Sequence, residues 1–407
     1  MSRRLFLCCL LMVMPASVFA QGKAVGMAGA YSLAARGAEA PSWNPATLAW
    51  SSQLHIQIAS IRLLATNNSF SYSDYKRWNG KTWDDQDKAK ILASIPGPNF
   101  EIQADTKVMI PGLAWGSWAV TAETHGGGKA GVPKEFARLV FFGNTPEEAF
   151  DLDGAGGEGL AYSEYRISHA RPIGSYKTWD LVAGGSFKYL QGWAYAEVTE
   201  ASGELVTTID ALKGHGIVEE LTSLGGSGFA FDFGVAAKRD DGWQAGLALR
   251  NLFGSIKWTK ETKWYRQTVD ADSVTLNDFE DDSDAVVDTS EDGPAPDFSR
   301  SLAPSLTLGI ARPTAWAYLE MNIEQGLQKG PMTTTTPRLS LGLARSLWWR
   351  FQGRMGLAFG GIDGPVLAFG SGLNLWGIEL EGAYYSTGTL NPFSGKGAGV
   401  GFSIGYR

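Results

Sequence analysis

The sequence predicts an all-β fold, a transmembrane antiparallel β-barrel, and three observations lead to it. Residues 1–20, "MSRRLFLCCLLMVMPASVFA", form a predicted signal peptide, in which Arg3 and Arg4 precede an apolar run of about ten residues. That run is too short to span a bilayer as a helix, and no later segment forms a long apolar run. Several later segments alternate large apolar residues with small or polar ones, as a strand does when one face meets lipid.

The composition agrees with an exported barrel. The chain of 407 residues has 51 glycines and 12% aromatic residues, which suits strands with aromatic girdles. Its net charge of −7 gives no reason to expect nucleic acid as a partner. Both cysteines, Cys8 and Cys9, lie within the signal, so the mature chain would not depend on disulfides. We therefore predict that the protein lies in the cell outer membrane, surrounded by outer-membrane lipid.

The strand pattern is clearest at the C-terminus. In "GVGFSIGYR", Val400, Phe402, Ile404 and Tyr406 form one apolar face, and small or polar residues form the other. The same period of two recurs upstream, at 229–235, 243–249, 306–310, 339–343, 349–359, 367–375 and 378–384. A soluble β-sandwich would share this period. The faces opposite the large apolar residues carry Arg and Glu rather than Lys-rich solvent-facing residues, which favours the barrel.

Segments between the strands predict a few short helices in loops. "TWDDQDKAKILASIPG" and "VPKEFARLVFFGN" have apolar residues at near-helical spacing, and "TIDALKGHGIVEELTSLGG" ends in the possible helix stop Gly225-Gly226. Residues 269–299 contain the acidic stretch "NDFEDDSDAVVDTSEDGPAPD". Such a block is expected to be a solvated loop, and its spacing does not match an EF-hand.

The stretch "GMAGAYSLAARGAEAPSWNPATLAW" resembles the start of mature barrels of the FadL superfamily. "VAGGSFKYLQGWAYAEV" and "GFAFDFGVAAKRDDGWQAGLALRNLFGSIKW" resemble a branch of that superfamily whose role is undefined and to which PorV-like secretion-associated barrels are similar. The resemblance implies about 14 strands, within the even-numbered range of such barrels. It also implies that residues 21–50 fold into the lumen as a hatch, with 51–407 as the barrel. Asn44, Pro45 and Ala46 would be the hatch element, with Trp43 beside it.

The residues themselves agree with a hatch. The segment is rich in Gly and Ala, which let backbone pack closely in a confined lumen. Pro45 lacks an N–H and restricts Asn44 to extended or turn geometry at the step into the wall. The first alternating strand, marked by Leu54 and Ile56, begins only after Trp50.

No enzyme is predicted. The four histidines, His55, His125, His169 and His215, belong to no nucleophile elbow, metal-binding pair or Cys/His cluster. "THGGGKAG", residues 124–131, lacks the Gly-Lys-Ser/Thr of a phosphate loop and is expected to be a glycine loop outside the strands. We therefore predict no catalytic residue, no cofactor and no bound metal.

Charged residues on the faces opposite the apolar ones are candidates for the lumen. They are Arg350, Arg354, Glu379, Glu381, Glu320, Asp232 and Arg250. Two interpretations stay open: the charges pair with one another and fix the packing, or they line a polar route beneath an amphipathic access path. Trp115, Trp118, Trp193 and Tyr195 would line that path or belong to the interfacial girdles.

Two functions therefore remain. The first is a FadL-like channel or transporter for hydrophobic or amphipathic small molecules. The second is a PorV-like structural or interaction barrel that anchors or assists exported proteins. Either barrel would need the barrel assembly machinery as a partner. Tyr406 is the expected assembly signal, one position before Arg407, because outer-membrane barrels usually end on an aromatic residue.

Overall fold

The computed structural model describes residues 21–407 except 52, 145, 147, 152, 209 and 275–285. The signal peptide expected at 1–20 lies outside these residues. In the described part of the chain, no helix is both long enough and apolar enough to be a membrane span.

Most of the described chain is strand, and all strands belong to one antiparallel sheet. In chain order they are β1 (His55–Asn67), β2 (Asn99–Trp115), β3 (Trp118–Pro133), β4 (Ala149–Asp151), β5 (Gly156–Tyr176), β6 (Trp179–Thr207), β7 (Leu212–Ser223), β8 (Gly226–Arg239), β9 (Gln244–Trp258), β10 (Lys263–Val274), β11 (Val286–Pro294), β12 (Phe298–Ser301), β13 (Ser305–Pro313), β14 (Tyr318–Gly326), β15 (Arg338–Trp348), β16 (Phe351–Gly360), β17 (Val366–Leu375), β18 (Ile378–Thr387) and β19 (Gly397–Tyr406).

Helices are few and short. They are α1 (Gly22–Gly26), α2 (Tyr72–Trp78), α3 (Asp85–Ala93) and α4 (Lys134–Phe142), with 3-10 helices at Gly37–Ser42 and Pro45–Trp50. The helices predicted from "TWDDQDKAKILASIPG" and "VPKEFARLVFFGN" are confirmed as α3 and α4.

The wall is a closed barrel of 14 strands, which confirms the predicted fold class. It closes where β1 pairs with β19, with Ile56 opposite Tyr406 and Thr66 opposite Gly397. Closure leaves the wall without a free edge. Strands β4, β7, β10, β11 and β12 are additional to the wall and attach to its loop end.

The two faces of the wall differ as the alternation predicted. Phe402 and Phe359 point outward and are 37% and 41% exposed, whereas Ser403 and Ala358 beside them are buried. Leu357 and Ile404 lie on the same outward faces and are partly exposed. The exterior is therefore apolar, as a surface in contact with lipid must be.

Aromatic residues collect at the end of the barrel with short turns. The exposed ones there include Trp115, Trp118, Trp316, Trp348, Trp349 and Trp376. This is the arrangement of an interfacial girdle, and it favours that role for Trp115 and Trp118. Trp193 also faces outward, whereas Tyr195 is buried against Trp258, with ring centroids 5.4 Å apart.

The third predicted helix is wrong, because "TIDALKGHGIVEELTSLGG" contains strand β7. This strand pairs with β6 on one side and β10 on the other. Gly214 and Gly216 disfavour a helix interior, and pairing on both sides satisfies the backbone as strand.

The acidic stretch 269–299 is not simply a loop either. Its ends form the last part of β10, all of β11 and part of β12, while residues 275–285 lie outside the described residues. Strand β7 pairs with residues 195–207 of β6, β10 pairs with β7, and β11 pairs with β10. We call β7, β10 and β11 the sheet extension. Almost every residue of β11 is exposed, so its acids stay hydrated while the backbone pairs.

Candidate functional site

Residues 21–50, called the N-terminal segment from here on, lie inside the barrel, and nearly all of them are buried or half-buried. Helix α1 packs against the inner faces of the last strands, where glycines make room. A Cβ added to Gly356 would lie 2.2 Å from the carbonyl carbon of Met27, and one added to Gly401 would lie 2.6 Å from Cβ of Val25. The wall is thus shaped around the segment.

The predicted hatch residues lie against the opposite wall. Asn44 is the N-cap of the 3-10 helix Pro45–Trp50, and its Oδ1 accepts a hydrogen bond from the Ala46 N–H at 3.0 Å. A Cβ on Gly184 of β6 would lie 2.6 Å from the carbonyl carbon of Pro45. Trp43 packs edge-on against Tyr31, with centroids 5.7 Å apart. Movement of these residues as a hatch stays a prediction.

One lysine ties the N-terminal segment to the wall. Lys23 Nζ lies 2.5 Å from Oε2 of Glu379 on β18 and 3.2 Å from Oε2 of Glu39 within the segment. The Tyr31 hydroxyl donates to the same Glu39 oxygen at 2.9 Å. Burial lowers the pKa of Lys23, but the carboxylates of Glu39 and Glu379 outweigh it, so the net pKa lies above its usual value.

A carboxylate from β14 holds the middle of the segment. Glu320 accepts hydrogen bonds from the backbone N–H groups of Leu33 at 2.8 Å and Ala34 at 2.9 Å. The Ser32 hydroxyl adds a third donor at 3.2 Å. Glu320 therefore binds backbone groups that strand pairing does not use.

Two cavities lie on either side of the N-terminal segment. The loop-side cavity, of about 250 Å³, reaches the loops at 332–336 and 361–363. The turn-side cavity, of about 290 Å³, reaches Gln53, Asn374 and Arg407 at the short-turn end. Both are lined partly by residues of the segment, which therefore separates them.

The loop-side cavity is strongly charged. Its basic lining residues are Arg62, Lys107, Arg166, Lys188, Arg250 and Arg338, and its acidic ones are Asp105, Glu123, Glu164, Asp232, Glu324 and Asp363. Most of them pair: Lys188 Nζ lies 2.9 Å from Oδ1 of Asp232, and Arg250 Nη2 lies 2.5 Å from Oε1 of Glu324. The side chain of Lys107 makes no hydrogen bond or ion pair with any residue that the structure describes.

Six of the seven predicted lumen residues face inward. Asp232 and Arg250 line the loop-side cavity, and Arg354, Glu379 and Glu381 line the turn-side cavity. Arg354 pairs with both carboxylate oxygens of Glu381, one of them at 3.0 Å. Glu320 binds the segment as described above. Pairing thus accounts for most of these charges, and any part in ligand binding stays a prediction.

Arg350 is the exception, and its predicted lumenal place is wrong. Strand β15 ends at Trp348, and Trp349 adopts a positive φ of 48°, so the alternation breaks before Arg350. Arg350 lies in the turn, with its guanidinium 5.0 Å from the centroid of the Trp349 ring.

The sequence interpretation missed a second group of inward charges. Residues 124–131 belong to β3 rather than to a loop, so Glu123 and His125 both face the lumen. On β5, Glu164 lies directly opposite Glu123, and Arg166 follows two residues later on the same inward face. The alternation Glu-Thr-His at 123–125 and Glu-Tyr-Arg at 164–166 was the available signal, but the neighbouring glycines concealed the strand.

Comparison with known proteins gives a family and a fold. Residues 45–312 match the family described as "Family of unknown function (DUF5723)". No curated protein matches the sequence. The structure is similar to the toluene transporter TbuX of Ralstonia pickettii, with a TM-score of 0.54, 11% identity, and 96% of this chain and 99% of that chain covered.

Two further solved structures have the same fold. The toluene transporter TodX of P. putida has a TM-score of 0.51 at 11% identity, covering 96% of this chain and 97% of that chain. A Pseudomonas aeruginosa FadL homologue has a TM-score of 0.50 at 12% identity, covering 96% and 98%. At this identity the likeness establishes a FadL-type barrel fold alone.

Proposed function

This chain belongs to a family of unknown function, DUF5723, so its role has to be argued from its own lumen, and we propose that it is an outer-membrane channel for amphipathic small molecules. In this proposal the N-terminal segment is the gate. The observation that carries it is the position of that segment between two cavities, one open towards the loops and one towards the short turns. A solute can pass from one to the other only when the segment moves.

The lining supports an amphipathic solute over a plain hydrocarbon. TbuX and TodX are toluene transporters. Here the loop-side cavity carries many charges, and the half-buried Lys107 Nζ has no partner among the described residues. An unpaired, half-buried cation favours an anionic ligand group, because that group would replace the water that the ammonium loses. We therefore propose a solute with an apolar body and an anionic head.

Deletion of Gln21–Arg36 tests the channel. The variant, reconstituted in vesicles, should admit small polar solutes faster than the full mature chain does. Its heat-stable mobility on gels should be unchanged, because the wall does not include these residues. Unchanged permeability would reject the gate.

A second variant tests the solute class. Lys107→Met should slow the uptake of an amphipathic carboxylate and leave the uptake of uncharged toluene unchanged. Lys129→Met, on the same strand pair but outside the cavity lining, is the matched control. Equal loss for both solutes would contradict an anionic head group.

A partner-binding role is the second candidate, and the sheet extension supports it. Within the described residues, β11 pairs only with β10, and its residues are almost all exposed. An unpaired strand edge can accept a strand from another protein. Replacing 263–294 by a short Gly-Ser linker should then release exported proteins from the cell surface without changing vesicle permeability. No release would leave the channel as the only role proposed.

A further inference from the structure

A buried group of metal-ligand type lies in the wall beside the loop-side cavity. It consists of Glu123 and His125 on β3 and Glu164 on β5, and we call it the Glu-His-Glu group. One ligand atom from each residue lies within 4.8 Å of the others. All three residues are buried, at 2%, 5% and 2% exposure. The cavity gives an ion a route to them.

The imidazole points into this group without a hydrogen bond. Nε2 of His125 has no hydrogen-bond partner in the described structure. It lies 3.4 Å from Oε1 of Glu164 and 3.9 Å from Oε1 of Glu123. The ring stacks on Tyr162 at 4.8 Å with an interplanar angle of 3°, which fixes its orientation. A buried polar atom in this position needs a proton, a water or an ion.

The surrounding charges leave Glu123 without a cation of its own. Arg166 and Lys188 are shared between Glu164 and Asp232. The oxygens of Glu123 accept hydrogen bonds from neutral donors of the N-terminal segment, Gln21 Nε2 at 3.1 Å and Ser42 Oγ at 3.0 Å. Arg166 lies farther away, at 3.7 Å. Glu123 and Glu164 are directly opposite on adjacent strands and share Arg166 as a partner, so their mutual repulsion is only partly offset and a further cation would reduce it.

We infer that the Glu-His-Glu group binds one divalent transition-metal cation of the Zn²⁺ type. One imidazole nitrogen and two carboxylate oxygens are a ligand set that zinc accepts, with a fourth position left for water. Arg166, which contacts the same Glu164 oxygen, can turn towards Asp232. Arg166 Nε and Asp232 Oδ2 lie 3.8 Å apart, and neither has a hydrogen-bond partner among the described residues.

The ion would also connect the wall to the N-terminal segment. Gln21 and Ser42 hold the Glu123 carboxylate, so both help to orient a metal ligand. Metal binding and docking of the segment would then stabilise each other. The inference does not require the protein to be a channel.

Zinc binding by the purified full-length mature chain in detergent is the test. Equilibrium dialysis against ZnCl₂ should give one Zn²⁺ per chain. His125→Ala and Glu123→Gln should each weaken binding by at least about tenfold. His215→Ala is the matched control, because His215 is exposed beside Asp270, at 2.5 Å, and is the obvious place for adventitious zinc. This variant should keep the stoichiometric ion.

Co²⁺ in place of Zn²⁺ gives a second readout that does not depend on affinity. Its visible absorption should change when His125 is replaced and stay unchanged in His215→Ala. Heat-stable gel mobility identifies any variant that does not fold, and the conservative Glu123→Gln change should preserve the barrel. Absence of zinc at saturation, or equal binding by wild type, His125→Ala and Glu123→Gln, would overturn the inference and leave a proton or water on His125.

Discussion

Lys23 Nζ lies 2.5 Å from Oε2 of Glu379, and this contact joins the N-terminal segment to strand β18. Both side chains are largely buried, at 15% and 12% exposure. Removing one partner of such a pair leaves the other charge buried alone, which costs about 3 kcal/mol or more. The contact therefore helps to hold the N-terminal segment against the wall.

Lys23→Met should weaken the docking of the N-terminal segment on β18. We expect higher permeability of reconstituted vesicles to small polar solutes, and faster protease cleavage within the N-terminal segment. Glu379→Gln should act in the same direction. The double variant should raise the permeability by less than the sum of the two single increases. Lys88→Met, in the exposed pair with Asp85, is the control and should change nothing. Additive effects of Lys23→Met and Glu379→Gln would contradict a direct interaction.

The effect of Lys23 should not depend on pH in the ordinary range. Its folded pKa is raised, so its contribution to stability is complete below the unfolded pKa of about 10.4 and is lost only as pH rises through the folded value. The difference in permeability between wild type and Lys23→Met should be the same at about pH 7 and about pH 9. A difference that disappears by about pH 9 would mean that Lys23 is already losing its proton there.

Gly356→Ala should displace the N-terminal segment from the wall. The added Cβ would lie 2.2 Å from the carbonyl carbon of Met27, so backbone must move, at a cost of about 1–3 kcal/mol. We expect earlier protease cleavage in the segment with the barrel intact. Gly126→Ala is the control, because nothing lies within 4 Å of its added Cβ. Equal resistance of the two variants would show that the segment is not packed there.

Phe402→Arg should destabilise the barrel by about 2–4 kcal/mol if Phe402 faces the middle of the bilayer. Val287→Arg is the matched control, since Val287 is also exposed but belongs to β11 in the sheet extension. If Val287 lies outside the bilayer, Val287→Arg should change the free energy of unfolding by no more than about 0.5 kcal/mol. Unfolding from lipid vesicles by denaturant measures both. Similar losses would place the sheet extension in the membrane.

Tyr406 should matter for assembly more than Arg407 does. Tyr406 is the last outward residue of β19 and lies opposite Ile56 and Ile378 near the short-turn end. A charge at an interface costs about 0–1 kcal/mol, so bilayer energetics alone would barely affect insertion. We expect Tyr406→Asp to reduce insertion in cells strongly and Arg407→Ala to have little effect. Equal insertion of Tyr406→Asp and wild type would argue against recognition of this residue by the assembly machinery.

The barrel could be predicted because the lipid-facing residues repeat with a period of two. Phe229, Leu357 and Phe402 are large and apolar for the same local reason, and no long-range information is needed to recognise it. Helices α3 and α4 could also be predicted from local sequence, because the N-cap Asp84 and apolar spacing indicate α3 and apolar spacing alone indicates α4. Strand β7 was missed because Ile217, Val218 and Leu221 have helical spacing, and only its pairing with β6 and β10 makes the segment a strand.

The lumen was predicted less completely. Arg354 and Glu381 were recognised as inward, but their partners depend on register between strands. The Glu-His-Glu group combines residues 123, 125 and 164, whose proximity follows from the pairing of β3 with β5. The predicted lumenal place of Arg350 was wrong for the opposite reason, because a local turn interrupts a regular alternation there. Patterns therefore predicted which face a residue occupies more reliably than what it contacts.

The docking of helix α1 on the last strands has a consequence for biogenesis. Gly26 packs against Gly370 of β17, and Val25 packs against Gly401 of β19, so residues that precede β1 contact the last strands of the wall. These contacts have very large sequence separation and cannot form while the chain is still being delivered. The N-terminal segment must therefore stay unfolded, or bound to other proteins, until β19 is in place. Its protection from protease should therefore appear last and mark the moment at which the wall is complete.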